Sequence, residues 1–276
     1  TNEGMSQGPC PAARALLVEV RRAEELAHQV HQPRRRRGNQ GISRLFKALE
    51  NIPNGTARGE SFLEDDGRGG GPIIIRVEVT KTPSGIVADF RGTDSQSDAP
   101  INGTLATTIA AVNSSVLAVT DPVIPLNSGI TRNITVIAVE GSLVRPRDPA
   151  PTFSATADPS SRAAQAVMAA LRKICPERVL ADHYWTGNNV TGSGSTPEGQ
   201  RFIWYSYQAG GCGAKSSGDG NSGEWHLLAN SKNESMEVWE RRYPVEFLSY
   251  SLIPDSGGPG RWRGGLGTER RMRLTA

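Results

Sequence analysis

The residues best placed to do chemistry lie where a strand-like segment gives way to a polar loop: Asp89, Asp94, Ser95, Asp98 and Asn102 in D-F-R-G-T-D-S-Q-S-D-A-P-I-N. Carboxylates and amides at a strand end supply a general base, a proton donor or oriented hydrogen bonds, and enzymes commonly place site residues on such loops. The same residue types cap helices and shape turns, so a structural reading of this loop stands beside the catalytic one. A second acidic set, Glu234, Glu237 and Glu240, is spaced by three in N-E-S-M-E-V-W-E. On a helix that spacing aligns the carboxylates along one face, either as a solvated face or as a catalytic pair.

Other chemistries are disfavoured by spacing. His28, His31, His183 and His226 form neither H-x-x-x-H nor H-E-x-x-H, which argues against a metal site built wholly within this chain. His183, beside Tyr184 and Trp185, fits a packed or hydrogen-bonded role. A phosphate-binding P-loop ending at Lys215 needs glycine where Ala209 and Ala214 stand. Asp255-Ser256-Gly257-Gly258 lacks the accompanying His and Asp motifs of a serine nucleophile and reads as a tight glycine turn.

The elements that must position these groups follow from periodicity. Leu16, Leu17, Val20, Ala23, Ala27 and Val30 mark a helix over 11–30, and Ile42, Leu45, Phe46 and Leu49 mark a shorter one after the linker H-Q-P-R-R-R-R-G. Strands are expected at about 58–64 and 72–81, the second with Ile73, Ile75, Val77 and Val79 on one face. Thr82-Pro83-Ser84-Gly85 reads as a type II turn, which makes the segment from Gly85 the second arm of a hairpin. Leu105, Ile109, Val112 and Val116 predict a helix to about Val119, and a strand is expected over 134–139. Asp158-Pro159 reads as an acidic cap with Pro at the first position of a helix ending near Cys175. Strands are then expected at about 178–182, 202–208 and 245–252, separated by the glycine-rich loops 210–223 and 255–267. Glycine at that density lets backbone approach a ligand, a partner or another strand. The fold class is α+β, with mixed sheets, packed helices, Gly-rich loops and a short helical N-terminal segment. Residues 1–50 form that segment with its basic linker, and 51–276 form the α+β region.

Composition sets further bounds. The chain has 276 residues, 37% hydrophobic residues and a net charge of +3, values of a water-soluble globular protein with ample core. Without Arg34–Arg37 the balance falls to −1, and aromatics are only 6%, so the chain is not expected to bind nucleic acid. No apolar run approaches the length of a membrane span and the N-terminus carries no leader, which implies the cytoplasm. Cys10, Cys175 and Cys212 are widely separated and suggest free thiols.

Taken together, D-F-R-G-T-D, A-P-I-N, I-P-L-N-S-G-I, E-G-S-L-V-R-P, P-A-P, E-V-W-E-R-R-Y-P-V and D-S-G-G-P-G-R-W-R-G-G-L-G resemble the hydantoinase B/oxoprolinase family, in the right order from about Asn51 to Arg273. The resemblance implies a subunit or fragment of an enzyme that opens cyclic amides (hydantoins, 5-oxoproline) or, in the related acetone and acetophenone carboxylases, carboxylates a ketone. It also implies a hydantoinase A-type ATPase partner that uses ATP to phosphorylate the substrate, with a non-catalytic assembly subunit as the alternative role. Family members carry a motif like N-D-P-Y-x-G-G-T-H-x-x-D that binds a divalent metal. Nothing here matches it, so the chain is expected to be a later part of such a protein. Residues of the matching segments that stand at loops or strand ends become the candidates: Asp89, Asp94, Asn102, Glu237 and Asp255 for catalysis, and Asn127, Arg132, Asp219, Arg261 and Arg263 for substrate binding. Asp94 and Asn102 retain their alternative as turn formers, and Arg261 and Arg263 as partners of acids.

Overall fold

The computed structural model describes residues 41–276 apart from 125, 126, 128, 197, 230 and 276. The expected helix over 11–30 and the arginine run lie outside the described residues. Residues 41–49 are helical (α1), and Leu45 and Leu49, one turn apart, are fully buried.

β1 (Gly55–Leu63), β2 (Ile73–Thr82) and β3 (Gly85–Asp89) pair antiparallel in sequence, and β4 (Ile134–Ile137) joins β3 in parallel. A parallel neighbour needs a crossover, supplied here by α2 (Leu105–Val119) and a 3-10 turn at Ile130–Asn133. Alternation along β2 turns Ile75, Val77 and Val79 into the core. α3 (Pro159–Ile174) packs on β1, β2 and α2. It lies close because Ala163, Ala164, Ala166 and Ala170 line its buried side and because Gly59 of β1 has no side chain. A Cβ at Gly59 would overlap the carbonyl oxygen of Ala166. Leu45, Leu49 and Ile52 belong to this same apolar core.

Beyond α3 the chain forms two separate hairpins, β5 (Asn189–Ser195) with β6 (Arg201–Tyr207) and β7 (Val245–Leu252) with β8 (Thr268–Leu274). Between them the short α4 (Met236–Arg242) contributes Trp239 to a small second core with Trp204 and Val245. The expected α+β architecture of mixed sheets, packed helices and glycine-rich loops is the one observed.

Four local expectations fail, each for a physical reason. No strand forms at 178–182. A 3-10 turn at Pro176–Arg178 is followed by irregular chain that makes single bonds, Ala181 N–H to Ala214 O (2.8 Å) and Arg172 Nη2 to Leu180 O (3.2 Å), instead of a ladder. The Thr82–Gly85 turn is not type II: Ser84 is not among the residues with positive φ, and type II demands one at that position. Asp158 precedes α3, with Pro159 at its first position, but its carboxylate makes no cap and accepts from the Thr186 hydroxyl (2.8 Å). The strand expected over 134–139 stops at Ile137.

β5 and β8 lie outside the expected strands. In β5, Gly192 and Gly194 hide the strand pattern because they leave space for the rings of Trp204 and Phe202 on β6. In β8, T-E-R-R-M-R-L has no apolar alternation.

The small core is a cluster distinct from the large one, and on that ground the hairpins around it are expected to open as a unit of their own. Trp239→Ala removes the ring that meets Trp204 at 5.3 Å and Tyr243 at 5.3 Å. The expected loss is about 3 kcal/mol, the usual cost of an aromatic-to-alanine core change. Amide exchange should accelerate in β6, β7 and β8 and stay unchanged in β1–β4; uniform acceleration across both regions would contradict this division.

Candidate functional site

The sequence-derived candidates fall into two clusters and a scattered remainder. The first cluster is at the end of β3. Asp89 stands directly opposite Glu78 in register, a like-charge juxtaposition offset by Arg91 on Asp89 and Arg58 on Glu78. Arg91 Nε lies 2.8 Å from Asp89 Oδ2, and the Arg91 N–H donates to Oδ1 (3.0 Å). The guanidinium holds the Asp89 carboxyl below the usual carboxylate range, which makes it an acceptor and not a proton donor at neutral pH. A groove of about 810 Å³ lies beside this pair, lined by Arg58, Arg76, Asp89, Arg91 and Lys173.

Asp94 faces inward to the scaffold. Its Oδ2 accepts the Ile74 N–H (2.8 Å) and its Oδ1 accepts from Arg76 Nη1 (2.7 Å). Asn102 is fully buried: Oδ1 accepts the Ser97 N–H (2.8 Å), and Nδ2 donates to Ser97 O (2.7 Å) and Pro151 O (3.0 Å). Both side chains perform the turn-forming work that was the alternative to catalysis. They hold a loop on which the Ser95 hydroxyl and the Gln96 NH2 group donate to no described residue, while Arg91 is engaged by Asp89.

The second cluster is built by the glycine-rich loops. Asp219 Oδ1 accepts the Arg263 N–H (2.8 Å), Arg263 Nη2 meets Asp255 at 3.2 Å, and Arg261 lies 6.0 Å from the ring centroid of Trp262. Asp255 has φ 56°, a left-handed turn conformation that Asp tolerates. The glycines serve backbone-on-backbone packing. A Cβ at Gly211 would overlap Gly265 O, one at Gly265 would overlap Asn221 O, and one at Gly213 would overlap Ala181 O. A cavity of about 560 Å³ remains between these loops, lined by Tyr184, Cys212, Trp262 and glycine backbone.

The remaining candidates are apart from both clusters. Asn127 Oδ1 accepts the Gly129 N–H (2.9 Å) in the turn before β4, and Arg132 is exposed in the following 3-10 turn. Glu237 is exposed on α4 beside the Ser235 hydroxyl, and Glu240 accepts the Phe247 N–H (2.7 Å). Glu234 lies before α4 and accepts from the Ser206 hydroxyl (3.2 Å), so the three-residue spacing does not align the three acids along one helix face.

A buried polar group escapes sequence reading as a cluster, because its members are dispersed in sequence and follow no motif. His183 Nδ1 accepts the Gly213 N–H (2.7 Å), which places its proton on a buried Nε2. Tyr184 Oη accepts the His226 N–H (3.0 Å), and the Tyr184 and His226 rings meet edge to face at 5.6 Å. Burial pushes the Tyr184 hydroxyl up to about 12 and the Cys212 thiol up to about 11; the buried Cys175 thiol moves in the same direction. Both thiols are free and stay protonated at neutral pH. Among the described residues, no group of three or more His, Cys, Asp or Glu side chains is arranged to hold a metal ion, and no helix is long and apolar enough to cross a membrane.

Comparison with known proteins gives these sites a context. The family model described as Hydantoinase B/oxoprolinase matches residues 17–276, a longer stretch than the motifs alone marked. An uncharacterised protein of Methanocaldococcus jannaschii is 36% identical over 202 residues, covering 73% of this chain and 35% of that protein. A putative D-/L-hydantoinase of a Pseudomonas species, in its B-type subunit, is 32% identical over 244 residues, covering 83% of this chain and 40% of its own length. The chain thus spans well under half the length of these relatives. The crystal structure of the ATP-dependent caprolactamase from Pseudomonas jessenii superimposes with a TM-score of 0.78 at 25% identity, over 95% of this chain and 46% of that one.

The buried histidines give the second region a pH dependence. Burial lowers His226 from 6.5 to about 4, the neighbouring His183 adding in the same direction and Asp158 opposing; burial also lowers His183. The unfolded chain therefore binds protons that the folded chain refuses, so stability is full above about pH 6.5 and falls as the pH drops toward 4. For His226 the loss is on the order of 3 kcal/mol. Denaturant unfolding at pH 7.5 and 4.5 reads it, and His226→Gln should flatten the difference; equal stability of wild type at both pH values would refute the assignment.

Proposed function

The chain belongs to the hydantoinase B/oxoprolinase family, and on that premise we propose that it is the substrate-positioning part of an ATP-dependent enzyme that opens small cyclic amides such as hydantoins and 5-oxoproline. The observation that carries this reading is the convergence of two family-like segments, D-F-R-G-T-D and E-G-S-L-V-R-P. They lie about fifty residues apart in the sequence and line one cavity at the end of β3. The likeness to a putative hydantoinase and the shared fold with a caprolactamase support the same class of substrate.

Ring opening needs activation of a poorly electrophilic amide carbonyl, a nucleophilic water and stabilisation of the charge that develops on oxygen. An A-type partner protein supplies the activation by ATP-dependent phosphorylation. The groups at the β3 end are suited to binding and orientation: Arg91 is fixed by Asp89, and the loop behind it is fixed by Asp94 and Asn102. Asp89, held as a carboxylate, orients Arg91 and does not deliver a proton.

The test is ATP-dependent turnover of hydantoin, 5-oxoproline and caprolactam by the full protein containing this chain together with its A-type partner. Bicarbonate-dependent consumption of acetone serves as the carboxylase arm. Ring opening should require both proteins, and Arg91→Ala should lower kcat/KM by about tenfold, a loss of about 1.4 kcal/mol. Turnover unchanged when this protein is omitted would reduce it to an assembly role, and acetone consumption without ring opening would move it to the carboxylases.

A further inference from the structure

The loop 93–96 and the turn 139–147 enclose a cavity of about 440 Å³ with an unusual set of unused donors. The two segments are fastened by backbone hydrogen bonds from Gln96 N–H to Gly141 O (2.9 Å) and from Leu143 N–H to Asp94 O (3.0 Å), so the walls are built rigidly. Gln96 Oε1 accepts the Arg147 N–H (2.7 Å), which commits the acceptor end of that amide and leaves its NH2 end to donate. Gly141 has φ 90°, and a Cβ there would come within 3.3 Å of Arg147 Nε. Glycine at this position therefore permits the turn and clears the path of the guanidinium. Among the described residues, neither the Arg147 guanidinium nor the Ser95 hydroxyl has a hydrogen-bond partner.

We propose, resting on the ring-opening reading that places substrate in this same cavity, that it binds the oxyanion of a small molecule, a carboxylate or a phosphate, with Arg147, Gln96 and Ser95 donating and Arg91 closing one side. A planar guanidinium offers paired N–H groups matched to two oxygens of such an anion, and hydrogen bonds to a charged acceptor are about twice as strong as neutral ones. The charge balance is modest. Asp89 occupies part of Arg91, and Glu140 in the same lining carries a negative charge. Directional donors, and not net charge, therefore carry recognition, and removal of the Glu140 charge strengthens it.

Two anions separate the sources: inorganic phosphate and acetate, titrated at constant ionic strength into the full protein and followed by amide chemical shifts or calorimetry. Saturable binding is expected. Arg147→Ala should weaken it about tenfold or more, as for loss of one charge-assisted pair. Glu140→Gln should tighten it, and Arg201→Ala, an exposed arginine on β6, should leave it unchanged. Preference for phosphate assigns a phosphoryl group, preference for acetate assigns a carboxylate, and equal binding assigns the shared oxyanion geometry. No saturable binding of either anion, undiminished binding by an Arg147→Ala variant with wild-type thermal stability, or weaker binding by Glu140→Gln would overturn the proposal. Anion binding is read without turnover, so failure here leaves the ring-opening reading to its own assay.

Discussion

The carboxylate of Asp94 is the junction on which the candidate site depends. One oxygen takes the Ile74 N–H at the start of β2, the other takes the Arg76 guanidinium, and the backbone oxygen of Asp94 takes the Leu143 N–H from a distant turn. A single residue thus joins the meander to the segment after β4 at the point where a polar loop would otherwise be free to wander. Hydrogen bonds to a charged acceptor contribute more than neutral ones, and an unmet N–H in this part-buried position would cost about 1–3 kcal/mol. Asn102 does the same work further along the loop, tying Ser97 to Pro151 through three bonds of a buried amide. With these two residues occupied, Ser95, Gln96 and Arg147, together with the Asp89-bound Arg91, are the polar groups that line the cavity toward solvent.

The glycine-rich loops solve a different problem. They carry the second cluster of acids and arginines, yet their glycines press against carbonyl oxygens of the same chain. The loops therefore interlock with each other and with the segment after α3, and the bonds of Asp219 and Asp255 to Arg263 bracket that contact. The exposed Asp255–Arg263 ion pair contributes little stability, and the Asp219 bond goes to the Arg263 backbone N–H. Their value is in fixing which glycine meets which carbonyl. The neutral His183 extends the same interlock by accepting the Gly213 N–H, and its ring meets Trp185 of the large core at 4.9 Å, so acidification acts on the loops and on the edge of that core.

Much of this was legible in the sequence. β2, β3, α2 and α3 were, because each buries one clean face against the large core: Ile75, Val77 and Val79 in a strand, and Val112 and Val116 in a helix. The family resemblance, carried by separate short motifs from about Asn51 to Arg273, was legible beyond that region as well. β5 and β8 were not, since a strand that makes room for its neighbour's aromatic rings, or that sets Glu269, Arg270 and Arg271 in a row before Met272, has too little apolar period to read. Within the candidate site, sequence found the loop and left two roles open for Asp94 and Asn102. Asp94 and Asn102 share a chemistry-bearing segment with Ser95 and Gln96, and only three-dimensional bonding separates those that hold from those that are free. Arg147 was invisible as a partner because its link to Gln96 spans about fifty residues and runs through its backbone N–H.

The central claim is that Asp94 builds the pocket while its neighbours use it. Residue-resolved amide hydrogen exchange of wild type, Asp94→Ala and Arg147→Ala tests it directly. Asp94→Ala is predicted to lose protection at Ile74, whose N–H bonds the carboxylate, while Leu143, which bonds the retained backbone oxygen, is affected less; Arg147→Ala keeps both protected. Unchanged protection at Ile74 in Asp94→Ala would contradict the account.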